Sequence, residues 1–188
     1  MKRKVFIGLT LFLLLMACES DAEKNLISST QASFKVLKSE NSGINFKNAL
    51  SSTPQLNILN YLYFYNGAGV CIADFNNDTL PDIFLISNQK QNELYLNEGQ
   101  LKFENQSTAA KIPQSDWSTG ATAVDINQDG LMDIYVCQVT GLNGVTTQNQ
   151  LLVNKGLNSD GIPQFEDEAE KYGLNISSYA QQAGFFDF

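Results

Sequence analysis

Two nine-residue stretches of this chain share one pattern, and that pattern limits the folds open to it. Asp125-Ile126-Asn127-Gln128-Asp129-Gly130-Leu131-Met132-Asp133 places oxygen-bearing side chains at positions 1, 3, 5 and 9. Asp74-Phe75-Asn76-Asn77-Asp78-Thr79-Leu80-Pro81-Asp82 does the same. Alternating ligands let a tight loop aim three side chains at one centre, and a hard cation such as Ca²⁺ takes about six to eight oxygens. The candidate ligands are Asp125, Asn127, Asp129, the carbonyl of Leu131 and Asp133 in one loop. In the other they are Asp74, Asn76, Asp78, the carbonyl of Leu80 and Asp82. Gly130 at position 6 permits the positive φ of a sharp turn. Thr79 holds that place in the first loop, where a β-branched residue costs on the order of 1–2 kcal/mol. A distorted or weaker site is expected there. Asx turns alone also shape such loops without a metal. An EF-hand needs a bidentate Glu at position 12, where this chain has Leu85 and Val136.

The duplication extends past the loops. Gly69–Asp74 aligns with Gly120–Asp125, and Asp82–Ile86 with Asp133–Cys137. Asn92–Gly99 aligns with Asn149–Gly156, and Phe103–Asn105 with Phe165–Asp167. Each unit holds four short strand candidates separated by Gly, Asn and Asp turns, which is the content of one propeller blade. The expected fold is all-β, a β-propeller of four-stranded blades, incomplete here. Residues 33–68 supply leading strands, with candidates at Ser33–Leu37, Gly43–Phe46 and the aromatic run Tyr61–Tyr65. Blade 1 covers 69–118 and blade 2 covers 119–182. Residues 183–188 begin a third repeat, with Asp187 at position 1 of its loop. One blade cannot bury both faces of its sheet, so the chain reads as the N-terminal piece of a longer protein.

The unit G-x-x-x-x-D-x-N-x-D-G-x-x-D-I, followed by N-x-L-x-x-N-x-G and F-x-[DN], resembles the FG-GAP/VCBS repeats of integrin α-chain propellers and bacterial surface proteins. The nearest resemblance is to Bacteroidetes lipoproteins that often end in an ASPIC/UnbV domain, as in the cartilage acidic protein family. It covers about residues 34–188. It implies a Ca²⁺-bearing propeller with one loop between the first two strands of each blade, and it carries the ligand roles onto the residues named above.

The start of the chain reads as an address. Met1-Lys2-Arg3-Lys4 is a basic n-region, and Val5–Met16 is an apolar run too short to span a bilayer. Leu15-Met16-Ala17-Cys18 resembles a lipobox, with Cys18 lipidated and residues 1–18 forming the signal and its lipobox. Residues 19–32 form a polar tether. The expected location is the outer membrane, facing out.

Charge narrows the function. The chain carries 12 basic and 20 acidic residues, net −8. Losing Lys2, Arg3 and Lys4 with the leader takes the mature charge to −11. Such a chain, without basic clusters, does not suit nucleic acid. The chain has no histidine, which removes the Ser-His-Asp and Cys-His arrangements and histidine-bearing zinc sites. Cys71 and Cys137 lie in strand-like runs. A disulfide between them is one arrangement, and two buried free thiols are the one expected. The function expected is a lipid-anchored, calcium-binding surface module for a glycan or protein partner, not an enzyme. The alternative is the propeller scaffold of a larger polysaccharide-acting enzyme whose catalytic part lies beyond Phe188.

Overall fold

The computed structural model describes residues 34–186 apart from 143 and 144. Two units are distinguished, residues 1–36 and 37–188. Of the first, only 34–36 are described, and they form no strand.

The second unit holds a short helical turn α1 (Ser39–Ser42) and eight strands. The first four are β1 (Val70–Ala73), β2 (Asp82–Leu85), β3 (Glu93–Asn97) and β4 (Phe103–Asn105). They pair in that order as one antiparallel sheet. β5 (Ser118–Val124), β6 (Asp133–Gln138), β7 (Gln150–Leu157) and β8 (Pro163–Asp167) form the second sheet in the same way. The two sheets follow the sequence repeat, one per unit.

The sheets pack face to face. Phe84, Ile86, Leu94 and Leu96 of the first share one buried cluster with Ala121, Ile134, Val136, Leu152 and Phe165 of the second. The opposite face of the second sheet (Tyr135, Cys137, Leu151 and Val153) is buried under Ala169, Tyr172, Leu174, Ala183 and Phe185. Both faces of the second sheet are therefore covered, and every residue of β6 is buried. Full burial of one such side chain contributes roughly 1.5–3 kcal/mol. The other face of the first sheet is covered only in part: Tyr95 is buried there, while its β1 edge is open. Val70 and Ile72, which align with Ala121 and Ala123, are 55% and 61% exposed.

Two glycines set how closely successive repeats approach. A Cβ on Gly69 would lie 2.9 Å from Gly120 Cα, and one on Gly120 would lie 2.3 Å from Gln181 O. Residues 178–186 thus run beside β5 much as β5 runs beside β1. Thr119 Oγ1 donates to Ala180 O and Thr122 Oγ1 to Ala183 O, each at 2.7 Å. At the ends of the strands, Asn154 Nδ2 donates to Phe75 O at 2.9 Å, and Asn88 Nδ2 to Ser118 O at 2.8 Å.

The leading segment corrects the expectation of strands. Among the described residues of 33–68 the regular element is α1 alone, and neither 34–37 nor 43–46 forms a ladder. Phe34 and Val36 are 99% and 91% exposed, so alternation there has no face to bury. Tyr61–Tyr65 is a turn, closed by Tyr61 N–H to Asn57 O at 2.9 Å and Phe64 N–H to Tyr61 O at 3.0 Å. That spacing puts Tyr61 and Phe64 on one side, where both pack on Trp117. Tyr63 and Tyr65 face outward.

Candidate cation loops

Both loops join the first two strands of their sheet, and they lie side by side: Asn77 Nδ2 is 3.4 Å from Gly130 O. Position 1 accepts two amides in each. Asp74 Oδ1 and Oδ2 take Asp78 N–H at 3.1 Å and Thr79 N–H at 2.8 Å. Asp125 takes Asp129 N–H at 3.1 Å and Gly130 N–H at 2.9 Å. At position 3, Asn76 Oδ1 takes Asp78 N–H at 3.2 Å, and Asn127 Oδ1 takes Asp129 N–H at 3.1 Å. At position 5, Asp78 and Asp129 accept from Leu80 and Leu131, both at 2.8 Å. Positions 1, 3 and 5 are thereby turned to the inside of the loop.

The Thr79 loop is not distorted. Thr79 takes φ 73° and Gly130 φ 83°, while Asn77 and Gln128 at position 4 take 57° and 60°. The hydrogen bonds agree to within a tenth of an ångström. The left-handed conformation is imposed on threonine, and the cost is held as strain.

Position 9 is the buried foot of each loop. Asp82 Oδ2 accepts Phe75 N–H at 2.9 Å and Oδ1 accepts Asn97 N–H at 2.8 Å. Asp133 accepts Ile126 N–H at 3.0 Å and Asn154 N–H at 2.8 Å. Burial pushes the Asp82 carboxyl up to about 6; the Asn97 and Phe75 amides pull it back, and the charges of Asp78 and Asp74 push it up further. Asp133 is raised for the same reasons, with Asp129 and Asp125 as the neighbouring charges. Among the described residues, the ion pairs are Lys155–Glu168 and Lys171–Glu168, so no loop carboxylate is paired with a base.

This donor set fits a hard cation in its chemistry: three mutually repelling carboxylates, an amide oxygen and no countercharge. The side chains are nonetheless drawn to their own amides. Among the described residues, no three His, Cys, Asp or Glu side chains are gathered as a metal-binding group. Asp187 and Cys18 lie outside the described residues. Cys71 and Cys137 are buried free thiols, and burial pushes the Cys71 thiol up to about 11.

Asn97 and Asn154 are structural partners of the loops that the ligand pattern alone does not mark. Each sits in the aligned N-x-G motif, where its side-chain oxygen accepts Gly99 N–H at 2.9 Å or Gly156 N–H at 3.0 Å. The signal was their repetition in register with the aspartates.

Residues 74–136 match the family model of an FG-GAP-like repeat. The match begins at position 1 of the first loop and ends within β6. The chain therefore carries an FG-GAP-like repeat in an all-β arrangement of two four-stranded sheets. No curated protein matches the chain.

Proposed function

We propose that this chain is part of a calcium-stapled β-propeller that works as a binding or adhesion module on the cell surface, held to the membrane through Cys18. The observation that carries the reading is the FG-GAP-like repeat at 74–136, a type of repeat suggestive of a binding or adhesion module, with its loop duplicated in the next sheet. Bound Ca²⁺ would neutralise the carboxylates of Asp74, Asp78 and Asp82, and of Asp125, Asp129 and Asp133. Asn76, Asn127 and the carbonyls of Leu80 and Leu131 complete the proposed ligand sets. In this reading the metal is a staple that fixes each loop.

Propeller closure is supported by the half-exposed apolar face at Val70 and Ile72, whose counterparts in the second sheet are packed against a neighbour. A role in binding is supported by exposed Leu59, Leu62, Tyr63 and Tyr65 on the leading segment. Exposed apolar side chains in one short stretch mark an interaction surface. The partner is a glycan or a protein.

The test is binding of the labelled chain to glycan and cell-surface protein arrays with Ca²⁺ and with chelator. Signal on either array that weakens in chelator is expected. Silence on both contradicts the reading. The anchor is tested separately by palmitate labelling in the native host, which Cys18→Ser is expected to abolish.

A further inference from the structure

After each outer strand the chain makes the same turn. β4 ends at Asn105 and β8 at Asp167. Just past them, Ala110 N–H donates to Gln106 O at 2.8 Å, and Tyr172 N–H to Glu168 O at 3.2 Å. Ile112 N–H and Leu174 N–H then donate to Ser107 O and Ala169 O at 2.9 and 2.8 Å. Between those donors, Lys111 and Gly173 take positive φ of 58° and 68°. The leading segment makes a closely similar turn. Ser42 N–H donates to Lys38 O at 3.0 Å, and Gly43 takes φ 77°. Ile44 follows it as Ile112 follows Lys111 and Leu174 follows Gly173.

The place of this turn is repeated as well as its shape. The turn after β4 rests on the outer strand of the following sheet, where Ala110 O accepts Phe165 N–H at 3.0 Å. Gly43 lies against Phe103 of β4, so closely that a Cβ there would clash with Phe103 O. Residues 38–44 therefore stand to the first sheet as 106–112 stand to the second. The sheet faces beside these turns differ. Ile134, Val136, Leu152 and Phe165, on the side of the second sheet that meets the first, are all buried. Of their counterparts, Tyr95 is buried, but Ile83, Leu85 and Phe103 are only half-buried. Val70 and Ile72, on the same face, are exposed. The turn is in place, and the sheet that such a turn follows is missing beside it.

We infer that residues 34–37 are the outermost strand of a further sheet, whose three inner strands come from one more repeat of this kind in the same protein and cover Val70 and Ile72. Leu37 directly precedes Lys38, as Asn105 and Asp167 precede Gln106 and Glu168. Phe34 stands one residue further from its turn than Phe103 and Phe165 do, an excess that a β-bulge absorbs. Phe34 and Val36 share one side of an extended chain, and both are almost fully exposed, as a strand without its ladder is. The cover has to be an apolar sheet face, since the open side of the first sheet presents Val70, Ile72, Ile83 and Leu85. A second copy of the described residues does not supply one. Phe84, Ile86, Leu94 and Leu96 already pack on the second sheet, and Tyr135, Cys137, Leu151 and Val153 lie under residues between 169 and 185. Two open faces set against each other would leave 34–37 with no strand to join. The start of the chain thus closes the ring by completing a sheet begun elsewhere in it. The inference deepens the propeller reading and rests on it.

Amide exchange and hydroxyl-radical oxidation of the protein purified from its native host, each read by mass spectrometry on a sample of measured oligomeric state, test it. In the monomer, amides of 34–37 are expected to exchange about a hundredfold or more slower than in an unstructured peptide, as those of 103–105 do. Phe34, Val70 and Ile72 are expected to resist oxidation. Fast exchange at 34–37 with Val70 and Ile72 still shielded overturns the inference and leaves the propeller standing, closed by other means. Fast exchange at 34–37 with Val70 and Ile72 freely oxidised overturns both. Protection of 34–37 that appears only in a dimer places the covering sheet in a second copy and also overturns the inference.

Discussion

Asn154 donates its backbone N–H to Asp133 Oδ1 at 2.8 Å. The bond ties the third strand of the second sheet to the foot of its acidic loop, and Asn97 to Asp82 repeats it in the first sheet at the same length. The aspartate at position 9 therefore has a structural duty separate from any cation. Removing its carboxylate leaves two buried amides without acceptors. Asp133→Ala is expected to cost about 2–4 kcal/mol of stability in Ca²⁺ and in chelator alike. Asp125→Ala, on the partly exposed rim, is expected to lose most of its effect in chelator. Urea denaturation of both variants under the two conditions checks this.

Position 6 offers a matched pair of substitutions. Thr79 holds φ 73° and Gly130 φ 83°, and a Cβ on Gly130 would meet nothing within 4 Å. The cost of a side chain there is conformational and not steric. Thr79→Gly is expected to stabilise the fold by about 1 kcal/mol, and Gly130→Thr to destabilise it by about 1–2 kcal/mol. Denaturation midpoints read both; effects of the opposite sign would contradict the strain argument.

The close approach of residues 178–186 to β5 predicts a steric loss elsewhere. Gly120→Ala would drive a methyl group to 2.3 Å from Gln181 O. Destabilisation by about 1–3 kcal/mol is expected, with faster amide exchange along residues 178–186. Exchange measured by mass spectrometry locates the damage.

Acidity at the loop foot gives a pH dependence with a definite sign. The Asp82 carboxyl is pushed up to about 6 by burial, against about 3.9 in an unfolded chain. Between those values the folded state holds a proton that the unfolded state has released. In chelator, this group's contribution therefore falls as pH rises from about 4 to about 6. Ca²⁺ favours the ionised form and is expected to restore stability more at neutral than at acid pH. Urea titrations of the parent and Asp82→Asn across that range check the slope, which the variant is expected to flatten.

Much of this arrangement was legible because the chain states it twice. Asp74 to Asp82 and Asp125 to Asp133 fixed the loop boundaries, and the Gly69/Gly120 register set the strands on either side. The leading segment departs from the strands expected of it because aromatic runs favour strands only when a ladder partner exists. Tyr61 and Phe64 instead use helical spacing to reach Trp117. The distortion expected of Thr79 is absent because the Asp74 carboxylate and the surrounding amides hold its backbone.

Calorimetric titration of the intact chain with Ca²⁺ at neutral pH tests the central claim most directly. Saturable heat is expected from the loops at Asp74 and Asp125, with the second loop's share lost in Asp125→Ala combined with Asp129→Ala. No heat in the parent chain, or heat unchanged in that double variant, would contradict the account.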